Sequence, residues 1–334
     1  MIIGILRETN SYENRVCVTP QSVKKYIAKG LSVIIETNAG ANSCFNDEEY
    51  ISSGATIKRT AKEILQQSDI LLKINPPTFD ELKYLKKSTI IIGNFQHSIS
   101  DKLLNQIHQK SLFCFALEKL PRISRTQSFD ILSSQDNLSG YQAVLKACDF
   151  LKKSVPMMIT SAGTLPPVNF LILGIGVAGL QAIATAKRLG GKVFAHDIRP
   201  ETKEQAQSLG AIFVENINDI LPKVDVVIAC ASSPAKKAPV LIKKTTIKNL
   251  KKGSVLIDMS ISSGGNIEGS QIHKVINIYN CLVYADSSLA NQIPQSASVL
   301  YANNLSNFIE YLNIGQTSAL TLNKNDEIIK STLL

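Results

Sequence analysis

The chain has 334 residues, 44% hydrophobic and 19% charged, enough apolar material for two ordinary domains and too much for a disordered chain. It contains no tryptophan and only 6% aromatic residues, which argues against a stacking platform for carbohydrate or single-stranded nucleic acid. A formal net charge of +9 permits contact with an anionic membrane face, nucleic acid or a phosphorylated ligand and singles out none of them.

In chain order, short aliphatic runs alternate with helical patterns. The first half predicts strands at Ile2–Leu6, Ser32–Glu36, Asp69–Ile74, Thr89–Ile92 and Leu112–Leu117, with helices at Pro20–Lys29, Ala61–Gln67 and Asp101–Lys110. A second series has strands at Phe170–Leu173, Lys192–Asp197, Ala211–Val214, Val224–Cys230 and Ser254–Met259. Its helices fall at Ala178–Gly190, Glu201–Leu209 and Thr245–Leu250. Continuous Ile/Val/Leu strands between helices read as parallel sheets covered on both faces. The fold class is α/β: two Rossmann-like domains with a cleft between them. Long helices over Leu138–Leu151 and Ala297–Leu312 should bridge them, with the last returning the chain to the first domain. The expected division is 1–138 plus 290–334 for the first domain and 139–289 for the second.

The N-terminus lacks the pattern of a signal peptide, and no apolar run approaches the roughly 20 residues of a membrane span, so a soluble chain is expected. Cys17, Cys44, Cys114, Cys148, Cys230 and Cys281 stand singly, without the spacing of a metal site, and read as reduced thiols of a cytosolic protein.

The strongest local signal is Gly174-Ile-Gly176-Val177-Ala178-Gly179, a GxGxxG motif between a strand and a helix. Gly174 permits the tight turn, Gly176 lets backbone approach a pyrophosphate, and Gly179 lets helix and strand pack closely. The next strand ends in Asp197, whose carboxylate suits the adenosine ribose hydroxyls and repels a 2′-phosphate, favouring NAD(H) over NADP(H). Arg199, two residues on, is an alternative phosphate contact. A second polar segment, Pro121–Asn137, crowds Arg122, Arg125, Gln127 and Asp130 with several serines after a strand, where α/β proteins place ligand contacts. A solvated connection is the competing reading.

Residues 121–141, PRISRTQSFDILSSQDNLSGY, and 157–193, which include the glycine motif, resemble the NAD(H)-binding component (domain I) of proton-translocating NAD(P) transhydrogenase, the first portion of the alpha subunit where that subunit is split. The resemblance runs from Arg7-Glu-Thr and Glu13–Pro20 to Ser296–Leu312. It implies that NAD(H) binds here and NADP(H) on a partner subunit, with separate membrane-spanning subunits moving protons. It also implies a homodimer and a peripheral place on the cytoplasmic face of the inner membrane; no motif supports a nucleic-acid partner. By resemblance, Arg122, Gln127, Asp130 and Ser133 line the nicotinamide end. Asp130 and Ser133 would fix the carboxamide, Arg122 would support Asp130, and Gln127 would reach toward the second nucleotide. Gln127 and Asp130 are the candidate catalytic pair. Ser124, Arg125, Leu132, Val177, Ala178, Ile198 and Ser232 complete the expected cofactor contacts, with no metal.

Alanine dehydrogenase, a related enzyme, needs a substrate-binding Arg and Lys and an acid–base His. Arg15 and Lys73 match, but Asn94 stands at the histidine's place, His97 is out of register, and Ser262 replaces an aspartate. An amino-acid dehydrogenase and a non-catalytic NAD-binding subunit stay as alternatives. The mobile loop usual in transhydrogenases has no room between Phe213 and Val224, Ser262 also replaces an acidic residue usual in that family, and Ser287–Asn291 departs from its pattern. Seven lysines at 236, 237, 243, 244, 248, 251 and 252 read as a solvated helix face or as a docking surface for the membrane component or an anionic leaflet.

Overall fold

Branched aliphatic runs bury both faces of a strand, and in each half of this chain they assemble parallel. The computed structural model describes residues 1–95, 99–232, 236–315, 322–323 and 325–334. They divide into two units, Met1–Gln135 with Ile293–Leu334, and Asp136–Gln292. Helix Ile131–Phe150 carries the chain from one to the other.

The first unit holds β1 (Ile2–Ile5), β2 (Ser32–Glu36), β3 (Thr56–Lys58), β4 (Ile70–Leu72), β5 (Ile90–Gly93) and β6 (Phe113–Ala116) in the order β3-β2-β1-β4-β5-β6, all parallel. Ile3, Ile5, Ile35 and Leu72 pack one face against Leu305, Phe308 and Ile309 of helix Pro294–Tyr311. Ile34, Leu71 and Ile91 pack the other against Ile64, Leu65, Leu82 and Ile107. Each such side chain contributes about 1.5–3 kcal/mol. Capping boxes start three of its helices, at Thr19/Ser22, Asn46/Glu49 and Thr78/Glu81.

The second unit opens with a hairpin, β7 (Met158–Thr160) and β8 (Gly163–Leu165). Its main sheet contains β9 (Asn169–Leu173), β10 (Lys192–His196), β11 (Ile212–Phe213), β12 (Val226–Ala229), β13 (Val255–Asp258), β14 (Val275–Ile278) and β15 (Cys281–Ala285). The order is β11-β10-β9-β12-β13-β15-β14, parallel except that β14 runs against β15. Strand order reverses between β1 and β4 in one sheet and between β9 and β12 in the other. Those switch points are where open α/β sheets leave a crevice beyond the strands' carboxyl ends. Among the described residues no helix is long and apolar enough to cross a membrane. In place of a long loop, residues between β11 and β12 form two short turns, Ile217–Asp219 and Leu221–Lys223.

Candidate functional site: a dinucleotide crevice and a polar loop

β9 ends at Leu173, and helix Val177–Arg188 begins four residues later. Gly174 has φ +93°, and a Cβ there would stand 2.7 Å from the backbone nitrogen of Ala231, just beyond β12. A Cβ on Gly179 would lie 1.9 Å from the Gly174 carbonyl oxygen. Among the described residues no heavy atom stands within 4 Å of a Cβ built on Gly176. Among the described residues no side chain caps the helix, which leaves the amides of its first turn, at Val177, Ala178 and Gly179, open to an anion. Open space above Gly176 at an uncapped helix N-terminus fits a pyrophosphate. Ser232 is exposed one residue past Ala231.

Asp197 follows β10 with its side chain only 6% exposed. One carboxylate oxygen accepts the Ile175 N–H at 2.7 Å and the Arg199 Nη2 at 2.9 Å; the other accepts the Arg199 backbone N–H at 2.9 Å and its Nε at 3.0 Å. Burial raises its pKa, but the Arg199 and Ile175 donors outweigh that and hold it down at about 2. From sequence, Asp197 and Arg199 are expected as separate contacts. A two-residue spacing at a strand end instead turns the guanidinium back onto the carboxylate. Ile198 between them is exposed.

The polar loop belongs to the first unit. Ser124–Phe129 forms 3₁₀ turns anchored by buried Thr126 and Phe129. The Thr126 hydroxyl bonds the carbonyls of Pro121 and Ile123, both at 2.7 Å. From helix Pro294–Tyr311, Asn304 and Asn307 donate to the Ser128 carbonyl at 3.0 and 2.8 Å. These ties leave Arg122, Ser124, Arg125 and Gln127 exposed and Leu132 half-buried in the core beneath. Asp130 caps helix Ile131–Phe150, accepting the Ser133 N–H at 2.9 Å and its hydroxyl at 2.6 Å. No ion pair joins Arg122 to Asp130 among the described residues. The cap geometry gives the carboxylate to Ser133, three residues on.

Sequence reasoning named Arg15 and Lys73 but not the glutamates that bind them, in a buried network at the first sheet's switch point. Arg15 pairs with Glu13 through Nε and Nη2 at 2.7 and 2.8 Å and donates to Gln135 at 2.8 Å. Lys73 lies 3.1 Å from Glu81 and 3.6 Å from Glu8, and Asn75 bridges Glu8 and Glu13 at 3.3 and 3.2 Å. Burial lowers the pKa of both cations; the bonded glutamates more than offset it and leave both raised. Both cations are thus paired with the chain's own glutamates. Among the glutamates, Glu81 carried a sequence signal, the capping box Thr78-x-x-Glu81, whose glutamate also reaches Lys73. Ser262 lies exposed in the turn Ile261–Ser263, and His97 falls outside the described residues.

A doubly wound sheet with this glycine turn at its switch point defines a dinucleotide-binding α/β protein. The chain belongs to the alanine dehydrogenase/PNT family, whose N-terminal domain matches residues 4–139 and C-terminal domain residues 143–334. It is 37% identical to the first portion of the split NAD(P) transhydrogenase subunit alpha of Rickettsia prowazekii, over 100% of this chain and 94% of that one. The corresponding protein of Rhodospirillum rubrum is 35% identical, over 99% of this chain and 95% of its own length. The crystal structure of transhydrogenase from Sinorhizobium meliloti superposes with a TM-score of 0.93 at 38% identity, covering 100% of this chain and 97% of that chain.

The lysine cluster is not one helix face, because the helix there is only Lys244–Ile247. Lys251 pairs with Asp225 at 3.1 Å, and the Lys248 ammonium stands over the Tyr279 ring at 4.9 Å.

Proposed function

We propose that this chain is the NAD(H)-binding component of a proton-translocating NAD(P) transhydrogenase. In this reading it passes hydride between its own NAD(H) and NADP(H) held on a partner subunit, while separate membrane subunits couple the exchange to proton movement at the cytoplasmic face of the inner membrane. Full-length similarity to transhydrogenase alpha subunits carries the reading. The neutralised Arg15 and Lys73, with Asn94 and Ser262 where an amino-acid dehydrogenase needs acid–base groups, speak against keto-acid chemistry.

The second unit would hold the pyrophosphate at Gly174–Gly179 and the adenosine ribose near Asp197. Bound NADH supplies the hydride. Direct transfer between nicotinamides moves no proton at the reacting carbons, so this chain needs no general acid or base there and acts by positioning. Asp130 and Ser133 would orient the carboxamide, and exposed Gln127 would meet the second nucleotide.

Asp130→Asn and Gln127→Ala should each slow hydride transfer in the reconstituted complex by about 10- to 100-fold. NADH affinity should change by less than about threefold, because the pyrophosphate and ribose contacts remain. Stopped-flow transfer beside calorimetric NADH binding measures both. Variants that only weaken binding would remove the loop from the reacting end, and L-alanine-dependent NAD reduction by the wild-type chain would overturn the assignment.

We also propose a homodimer covered at the β7–β8 hairpin. Residues 156–166 are all exposed, including Met157, Met158, Ile159 and Leu165, and a lone two-stranded hairpin is marginal in water. A second copy offers the same free strand edges and apolar side chains. Ile159→Asp is expected to halve the mass seen by sedimentation at micromolar concentration. A wild-type monomer would end the idea.

A further inference from the structure

Beyond their backbone ladder, the carboxyl ends of β12 and β13 are tied together by side chains. Asp258, the last residue of β13, is fully buried. Its carboxylate accepts the N–H groups of Ser260, Asn266 and Ile267, each at 3.0 Å, and the Ser270 hydroxyl at 2.8 Å. Four donors on one carboxylate fold residues 259–270 back over the strand end. They bring Asn266, itself fully buried, against the segment that follows β12. There the Asn266 Oδ1 accepts the Ala231 N–H at 3.0 Å, while Nδ2 donates to the carbonyls of Ala231 and Pro239, both at 2.8 Å. Both amide protons and the amide oxygen are therefore used, all on one stretch of backbone. That stretch is the one Gly174 presses on, since a Cβ at Gly174 would stand 2.7 Å from the Ala231 nitrogen.

Asn266 is not needed to hold its own loop, which the Asp258 bonds already fix; its side-chain bonds all leave that loop for Ala231 and Pro239. We infer that Asn266 is a positioning residue: it holds the Ala231–Ser232 wall of the crevice in register with the Gly174 turn, and so sets NAD(H) affinity without touching the nucleotide. The inference rests on the reading of the second unit as the NAD(H) site.

The test measures NADH binding by the full-length chain, at a temperature well below the unfolding midpoint, for wild type, Asn266→Ala, Asn266→Asp and Val283→Ala. Val283 is buried on β15, outside the crevice, and its truncation reports what lost stability alone does. Asn266→Ala should weaken NADH at least tenfold, whereas Val283→Ala should lower the midpoint and leave affinity unchanged. Asn266→Asp keeps an acceptor for the Ala231 N–H but, once ionised, sets an oxygen against two carbonyl oxygens. Its affinity relative to wild type should recover as pH falls from 8 toward 5.5, when the acid can donate to one of them. Wild-type affinity in both Asn266 variants, or losses matched by Val283→Ala, would overturn the role while leaving the NAD(H) site standing. A wild-type chain that does not bind NADH would instead overturn the reading of the unit and this role with it.

Discussion

Gly179→Ala should all but abolish NADH binding and also destabilise the second unit, by about 3 kcal/mol as an overpacked contact against backbone. The added Cβ would stand 1.9 Å from the Gly174 carbonyl oxygen and 3.3 Å from the Cys230 sulfur. Neither neighbour is free to move. The Gly174 N–H is bonded to the His196 carbonyl at 3.0 Å, and the Cys230 thiol donates to the Gly174 carbonyl at 3.1 Å. Relief requires the helix to withdraw from β9 by about 1 Å, which takes its first-turn amides away from the phosphates. A displacement of that size costs about 100-fold where geometry decides the interaction.

Gly176→Ala separates the two effects. Its backbone, at φ −93° and ψ −163°, accepts any residue, and the new methyl meets no atom of the described residues within 4 Å. Stability should stay within about 0.5 kcal/mol of wild type while NADH affinity falls, because the methyl would occupy the space proposed for the pyrophosphate. Thermal unfolding beside a fluorescence titration of NADH reads both variants. An unchanged midpoint in Gly179→Ala would show that helix and strand are not in forced contact. Undiminished affinity in Gly176→Ala would place the phosphates elsewhere.

This glycine turn was legible in the sequence because every residue that matters lies within six positions. The central strands were legible for a similar reason: Ile70–Leu72 or Val226–Ala229, buried on both faces, must be continuously aliphatic. β14 alternates exposed and half-buried positions at the sheet edge, and β7 and β8 are exposed throughout, so their composition carries no such signal. β3 has three residues, too few for a pattern.

The site divides in the same way. The exposed polar loop was visible as residues a core does not need. The ties that hold it, from Asn304 and Asn307 to the Ser128 carbonyl, span more than 170 positions and could not be read locally. Lys73 and Glu8 meet across 65 residues, and Asn266 and Ala231 across 35. Asp130 and Ser133 were found by resemblance, yet their three-residue spacing is also that of a helix cap, and the structure shows the cap.

The second large effect concerns which nucleotide is accepted. Asp197→Asn should shift the ratio of NADH to NADPH affinity toward NADPH by at least about tenfold, mainly through tighter NADPH binding. In the native chain three of the four donors on the Asp197 carboxylate come from Arg199, so the guanidinium that would stand nearest a ribose bound there is committed to a neighbouring charge. A 2′-phosphate therefore meets a carboxylate whose partner is already engaged, and the pair repels or at best ignores it. Removing the charge while keeping an amide oxygen for the Ile175 N–H preserves the turn and frees Arg199, half-exposed and on a flexible stem, to take the phosphate. Arg199→Ala in the same background should return NADPH affinity to its native weakness; if it did not, the gain would come from lost repulsion alone. The carboxylate's own stabilising effect has a defined pH window. Because its folded pKa is depressed to about 2, that effect is fully present above the unfolded value near 4 and is lost as pH falls from there through 2. Acid unfolding of Asp197→Asn should accordingly show less loss of stability between pH 4 and pH 2 than the wild-type chain, while above about pH 5 the two stabilities should differ by a constant amount.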